Sequence, residues 1–207
     1  MQFEPLDSRL PQTKCRKQGM QINWPYRFIK EGQSVGRILT GYTNLEVDLM
    51  HCVQMGMGGD FDTVLKAMFK QRGESARITK AEALGVAAYQ PLGLGADFRN
   101  AIKAMRYCLK IRNQYAHWVW WDDSSGKLAF ANLEELSKRK RKVPNLDKLK
   151  SFHLDMQLLG QQEAYFVYLD RLLTWINYEG RYRTKRLPNN VLGKKPLPPR
   201  RPAMKLS

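Results

Sequence analysis

Two side chains in this sequence have the types and spacing to handle a phosphate. Arg112 and His117 bracket the run Arg112-Asn113-Gln114-Tyr115-Ala116-His117. An imidazole with an unperturbed pKa of about 6.5 gains or loses a proton close to neutral pH. A guanidinium stays positive and can direct two parallel hydrogen bonds at phosphate oxygens, stabilising charge that develops there. Two plainer roles stand beside this one. Arg112 could pair with an acid such as Glu46, and His117 could sit at a helix C-terminus, where the dipole favours a positive imidazole.

Other constellations are weaker. Gly32-Gln33-Ser34-Val35-Gly36 has the spacing of a hydrolase nucleophile elbow, which needs a strand before the serine, a helix after it and a largely parallel sheet. The chain shows no strand–helix alternation, so Ser34 is expected to be the N-cap of a helix. Gly56-Met57-Gly58-Gly59 and Gly93-Leu94-Gly95 fall short of a dinucleotide fingerprint and read as helix breaks. The histidines His51, His117 and His153 are too far apart to give a metal two ligands from one helix face. Cys15, Cys52 and Cys108 form no C-x-x-C pair, which disfavours a disulfide framework and points to a reducing compartment.

The elements that must position Arg112 and His117 follow from periodicity. Val35, Ile38, Leu39, Tyr42, Leu45, Leu49 and Val53 keep the i, i+3, i+4, i+7 rhythm of an amphipathic helix that ends at Gly56–Gly59. A short helix is predicted over about 61–70 and an alanine-rich one over 76–89. Phe98, Ala101, Ile102, Met105, Cys108 and Leu109 predict a long fourth helix from Asp97 that reaches the Arg112–His117 run. The pattern then changes: Trp118-Val119-Trp120-Trp121, a turn over 122–126 and alternation over Lys127–Ala131 predict a small β-hairpin. At least one of the tryptophans is expected to face inward. A last helix is predicted over about 154–178. The fold class is thus all-α: an up-and-down bundle of about five helices over 32–180, preceded by an irregular segment over 1–31.

Charge sets these segments apart. Of 207 residues, 43% are apolar, enough for a core, yet 35 Lys and Arg against 19 Asp and Glu give a formal charge of +16. Residues 180–207 hold nine cations and no acid, and Lys138, Arg139, Lys140, Arg141 and Lys142 form a second basic run, leaving the body nearly neutral. With Pro188, Pro196, Pro198, Pro199 and Pro202 and few large apolar residues, the tail over 181–207 is expected to be disordered or extended. It could be a solubilising extension, a phosphate-tracking arm, or a polyproline ligand for an aromatic groove. No run of 18 apolar residues and no secretory signal are found, so a soluble, cytoplasmic protein that does not engage the membrane is expected.

Arginine and histidine separated by four residues at the end of a long amphipathic helix resembles the R-x4-6-H signature of the HEPN superfamily, whose members are small helical bundles. Asn113 fits, since a polar residue often follows that arginine. One branch of the family has tyrosine two residues after the histidine, where this chain has Val119. The resemblance implies a metal-independent endoribonuclease with no cofactor, acting in a toxin–antitoxin or phage-defence setting, with RNA as substrate and an antitoxin or regulatory protein as a further partner. Arg112 would bind the scissile phosphate, His117 would transfer a proton, and Asn113 would position the pocket. The products would be a 2′,3′-cyclic phosphate and a 5′-hydroxyl. On an ideal helix Arg112 and His117 point about 140° apart. Either the helix is interrupted between them or two subunits complete the pocket, and by resemblance a symmetric homodimer is expected. Lys138–Lys142 and the tail would hold nucleic acid. The alternatives are a non-catalytic module that binds nucleic acid or an acidic partner, and an assembly protein acting through the hairpin.

Overall fold

A computed structural model describes residues 27–123, 125–132 and 152–205 of the chain. The first helix, α1 (Ile29–Met57), buries Val35, Ile38, Tyr42, Leu45, Leu49 and Val53, the residues whose spacing predicts it. It starts earlier than that stripe indicates. Phe28, the N-cap, is buried two turns before Val35 and on its face, so the apolar contact extends the helix backward. Ser34 is therefore not the expected N-cap. It lies buried within α1, where its Oγ accepts a hydrogen bond from Arg37 Nη2 at 2.8 Å. Gly58 closes the helix in the left-handed region at φ 67°, its N–H bonded to Gln54 O at 3.0 Å.

The short α2 (Phe61–Phe69) is capped by Asp60, whose carboxylate accepts from the Thr63 N–H at 2.8 Å. Next come α3 (Glu74–Tyr89) and α4 (Gly95–His117), joined through Gly93 at φ 69°. Then α5 (Met156–Arg183) begins at Asp155, which caps the Leu158 N–H at 2.8 Å. The most extensive helix contact joins α1 and α5, while α4 packs against α3, α5 and α1. One apolar core runs through all five helices.

Between α4 and α5 lies a small antiparallel sheet, β1 (Val119–Asp122), β2 (Leu128–Ala131) and β3 (Phe152–Leu154), in that order. The expected hairpin is present, and β3 extends it by pairing Phe152 with Phe130 and Leu154 with Leu128. Trp118 packs on Phe130 and Phe152, with ring centroids 4.9 and 5.9 Å apart. Trp121 is buried with Ala129 and Ala131 on the opposite face. Among the described residues beyond Arg183 there is no helix or strand, in keeping with the composition. The chain there runs extended over the bundle, its path fixed by hydrogen bonds donated from helical side chains.

Two positions in the bundle make predictions. A Cβ on Gly85 would lie 2.3 Å from the buried Phe98 ring, so α3 and α4 approach where only hydrogen fits. Gly85→Ala is expected to cost about 1–3 kcal/mol, read as a lower urea midpoint at unchanged slope. At the α1–α5 seam, burial first, then the hydrogen bond and charge of Asp170, raise the Asp48 pKa to about 7. Folding thus keeps a proton on Asp48 that the unfolded chain releases at lower pH. The resulting stability is complete below the ordinary carboxylate range and is lost as pH rises through 7. Asp48→Asn is expected to flatten that decline in thermal melts taken between about pH 4 and pH 8.

Candidate functional site

The last two turns of α4 place the predicted site residues on different sides of the helix. The helix is unbroken from Gly95 to His117, which closes the alternative of an interruption between Arg112 and His117. Lys110, Asn113, Gln114 and His117 follow i, i+3, i+4 and i+7 and share one face. With Trp118, Asn132 just after β2, and Met204 of the tail, they line a cleft of about 370 Å³. His117 is exposed in this cleft and makes no hydrogen bond or ion pair among the described residues.

Arg112 points away from that face, toward α1 and α3. Its Nη1 donates to Asn113 Oδ1 at 2.9 Å and lies 3.5 Å from Glu74 Oε1, and its guanidinium stands 6.0 Å from the centre of the Tyr42 ring. The carboxylate partner of Arg112 is therefore Glu74, not Glu46. Glu46 is taken by Arg77 at 2.9 Å, in a pair whose side chains are each only 15% exposed. The Arg112–Glu74 pair is longer and wetter, with exposures of 28% and 30%. Beneath it, the Tyr42 hydroxyl is buried with no hydrogen-bond partner among the described residues. Burial, then the charges of Glu46 and Glu74, push its pKa well above the ordinary phenol value.

Asn113 links the two faces, since it accepts from Arg112 and lines the cleft of His117. The orientation of this end of α4 is set by Tyr115, whose hydroxyl donates to Oε1 of Gln162, a fully buried residue of α5. Lys110 and Gln114 are cleft residues outside the arginine–histidine pair. The signal for them is in the sequence: Lys110 lies seven residues before His117, hence on its face.

The basic segments fare differently. Lys138, Arg139, Lys140, Arg141 and Lys142 lie outside the described residues. Of the nine cations over 180–207, Arg181 and Arg183 lie within α5, and Lys195, Arg201 and Lys205 of the tail contact the body. Arg181 donates to Asn177, Arg183 to Glu179 and Leu92 O, and Lys195 to Asp97, while Arg201 and Lys205 lie over aromatic rings. Among the described residues no helix is long and apolar enough to cross a membrane, and no group of three or more His, Cys, Asp or Glu side chains could hold a metal ion. Compared with known proteins, the chain matches no family model, no curated protein and no solved structure.

The two ion pairs near Tyr42 are expected to differ in strength. A double-mutant cycle on Arg112 and Glu74, followed by chemical denaturation, should give a coupling below about 1 kcal/mol. The same cycle on the more buried Arg77 and Glu46 should give about 1–3 kcal/mol.

Proposed function

We propose that this chain is a metal-independent endoribonuclease of the HEPN type, working in the cytoplasm as a homodimer in a toxin–antitoxin or phage-defence role. The observation that supports it best is the position of Asn113, hydrogen-bonded to Arg112 and lining the cleft that exposes His117. The chemistry needs little more. In RNA the 2′-oxygen attacks phosphorus while His117 takes the 2′-hydroxyl proton. The bond from phosphorus to the 5′-oxygen breaks, that oxygen takes a proton from solvent water, to which the His117 imidazolium returns one, and a 2′,3′-cyclic phosphate and a 5′-hydroxyl result.

Charge gathers on the phosphate oxygens in the transition state, and a guanidinium stabilises it. In this reading the Arg112 that serves a given His117 comes from a second copy related by a twofold axis. Lys110, on the same face as His117, supplies a cation within the protomer. The Arg112–Glu74 separation of 3.5 Å suits an arginine that exchanges a carboxylate for a phosphate.

The second reading is a module that binds nucleic acid without cutting it. One observation favours it: the Arg112 guanidinium already contacts both a carboxylate and an amide oxygen.

Complementation separates the readings. In excess EDTA the wild type is expected to cleave RNA to cyclic-phosphate ends, and His117→Ala and Arg112→Ala should each lose about 100-fold or more. Co-folding the two inactive variants should restore about a quarter of wild-type activity, since about half the dimers are mixed and each carries one intact composite site. A mixture as inactive as its components, beside an active wild type, contradicts the shared pocket. RNA binding with no cleavage by the wild type establishes the binding module.

A further inference from the structure

The end of the tail is held by the bundle in the manner of a bound peptide. Three successive carbonyls, those of Pro202, Ala203 and Met204, accept hydrogen bonds from side chains of α4 and α5. Tyr107 Oη donates to Pro202 O, Gln162 Nε2 to Ala203 O at 2.8 Å, and Gln114 Nε2 to Met204 O at 2.8 Å. Donors aimed at carbonyls read the main chain and tolerate proline, which has no N–H to satisfy.

Specificity comes from the flanks. The Arg201 guanidinium stacks 3.6 Å from the centre of the Tyr107 ring, which meets Tyr165 edge-on at 5.6 Å. Lys205 Nζ lies 3.1 Å from the centre of the Phe152 ring. Pro202 is buried between them, while Arg201 and Ala203 remain exposed. Two cations on aromatic platforms, a buried proline and three accepting carbonyls make an Arg-Pro-x-x-Lys pattern in an extended chain.

We propose that the groove between α4 and α5 is a recognition site for an extended, proline-containing basic peptide of this pattern, occupied in cis by residues 201–205 and open to a like segment in trans. The reasons are chemical. None of the three helical donors depends on covalent connection to the segment they hold, and the chain leading to it has no helix or strand to fix it. Occupancy in cis then acts as competition, because a tethered ligand has a high effective concentration. Met204 also lines the His117 cleft, so exchange of the segment changes one wall of that cleft. The binding itself does not rest on the nuclease reading.

The test uses the full chain and a fluorescent peptide of residues 197–207, Leu-Pro-Pro-Arg-Arg-Pro-Ala-Met-Lys-Leu-Ser. Arg201→Glu in the protein removes an exposed cation from its platform and leaves the groove intact. Tryptic cleavage after Lys205, which requires that side chain to leave Phe152, should accelerate about tenfold in this variant, and the peptide should bind it about tenfold tighter than the wild type. Adding Tyr107→Phe, which keeps the ring and deletes the donor, should weaken that binding about fivefold. A peptide carrying Glu in place of Arg201 should not compete. The proposal is overturned if Arg201→Glu leaves the cleavage rate unchanged, or if the segment is released and the peptide still fails to bind.

Discussion

The arrangement around the cleft depends on one buried amide. Gln162 is fully enclosed between α4, α5 and the tail, and a side-chain amide in such a place must have its oxygen and its N–H groups bonded or the fold loses about 1–3 kcal/mol for each failure. Its oxygen accepts from Tyr115 of α4, and its nitrogen donates to Ala203 O at 2.8 Å and Met204 O at 3.4 Å in the tail. One residue thereby sets the rotation of the last turn of α4 relative to α5 and draws the C-terminal segment to the same point. Gln114, itself buried, repeats the device one turn before His117.

With α4 fixed about its axis, the two sides of its end acquire different surroundings. The side bearing Lys110, Asn113 and His117 opens into a cleft walled by the sheet and the tail. The side bearing Arg112 meets the polar cluster of Glu74, Arg77 and Glu46 above the enclosed Tyr42 hydroxyl. Within one copy the continuous helix turns these two sides in different directions. The homodimer of the proposed mechanism answers that divergence by drawing the second group from another copy.

Much of the fold was legible in the sequence because burial imposes period. The stripe from Val35 to Val53 and the run from Phe98 to Leu109 gave α1 and α4, and the tryptophan-rich alternation gave β1 and β2. The start of α1 leaves no mark on the sequence, because Phe28 buries without a polar cap to announce it. The strand β3 is not legible, because three residues, Phe152–Leu154, are too few to establish alternation; its partner β2 and the Phe130 ring define it. Helical periodicity also gave the divergence of Arg112 from His117. The partner of Arg112 was not legible, because choosing Glu74 over Glu46 depends on how α3 and α1 pack. The docking of the tail was obscured by a composition rich in proline and charge, since carbonyl acceptors exist at every residue and leave no mark on sequence. The available hint lay in the helices: Gln114 and Gln162 fall among apolar positions, and a polar residue there calls for a partner.

If the chain handles RNA as proposed, the face of α4 bearing His117 receives the phosphate backbone. Histidine-selective NMR tests it directly, because the chain has only His51, His117 and His153. On titration with a 2′-O-methyl RNA oligonucleotide, which binds but supplies no attacking hydroxyl, the ring resonances of His117 should shift while those of His51 and His153 stay in place. Saturable binding that leaves His117 unmoved would contradict the account.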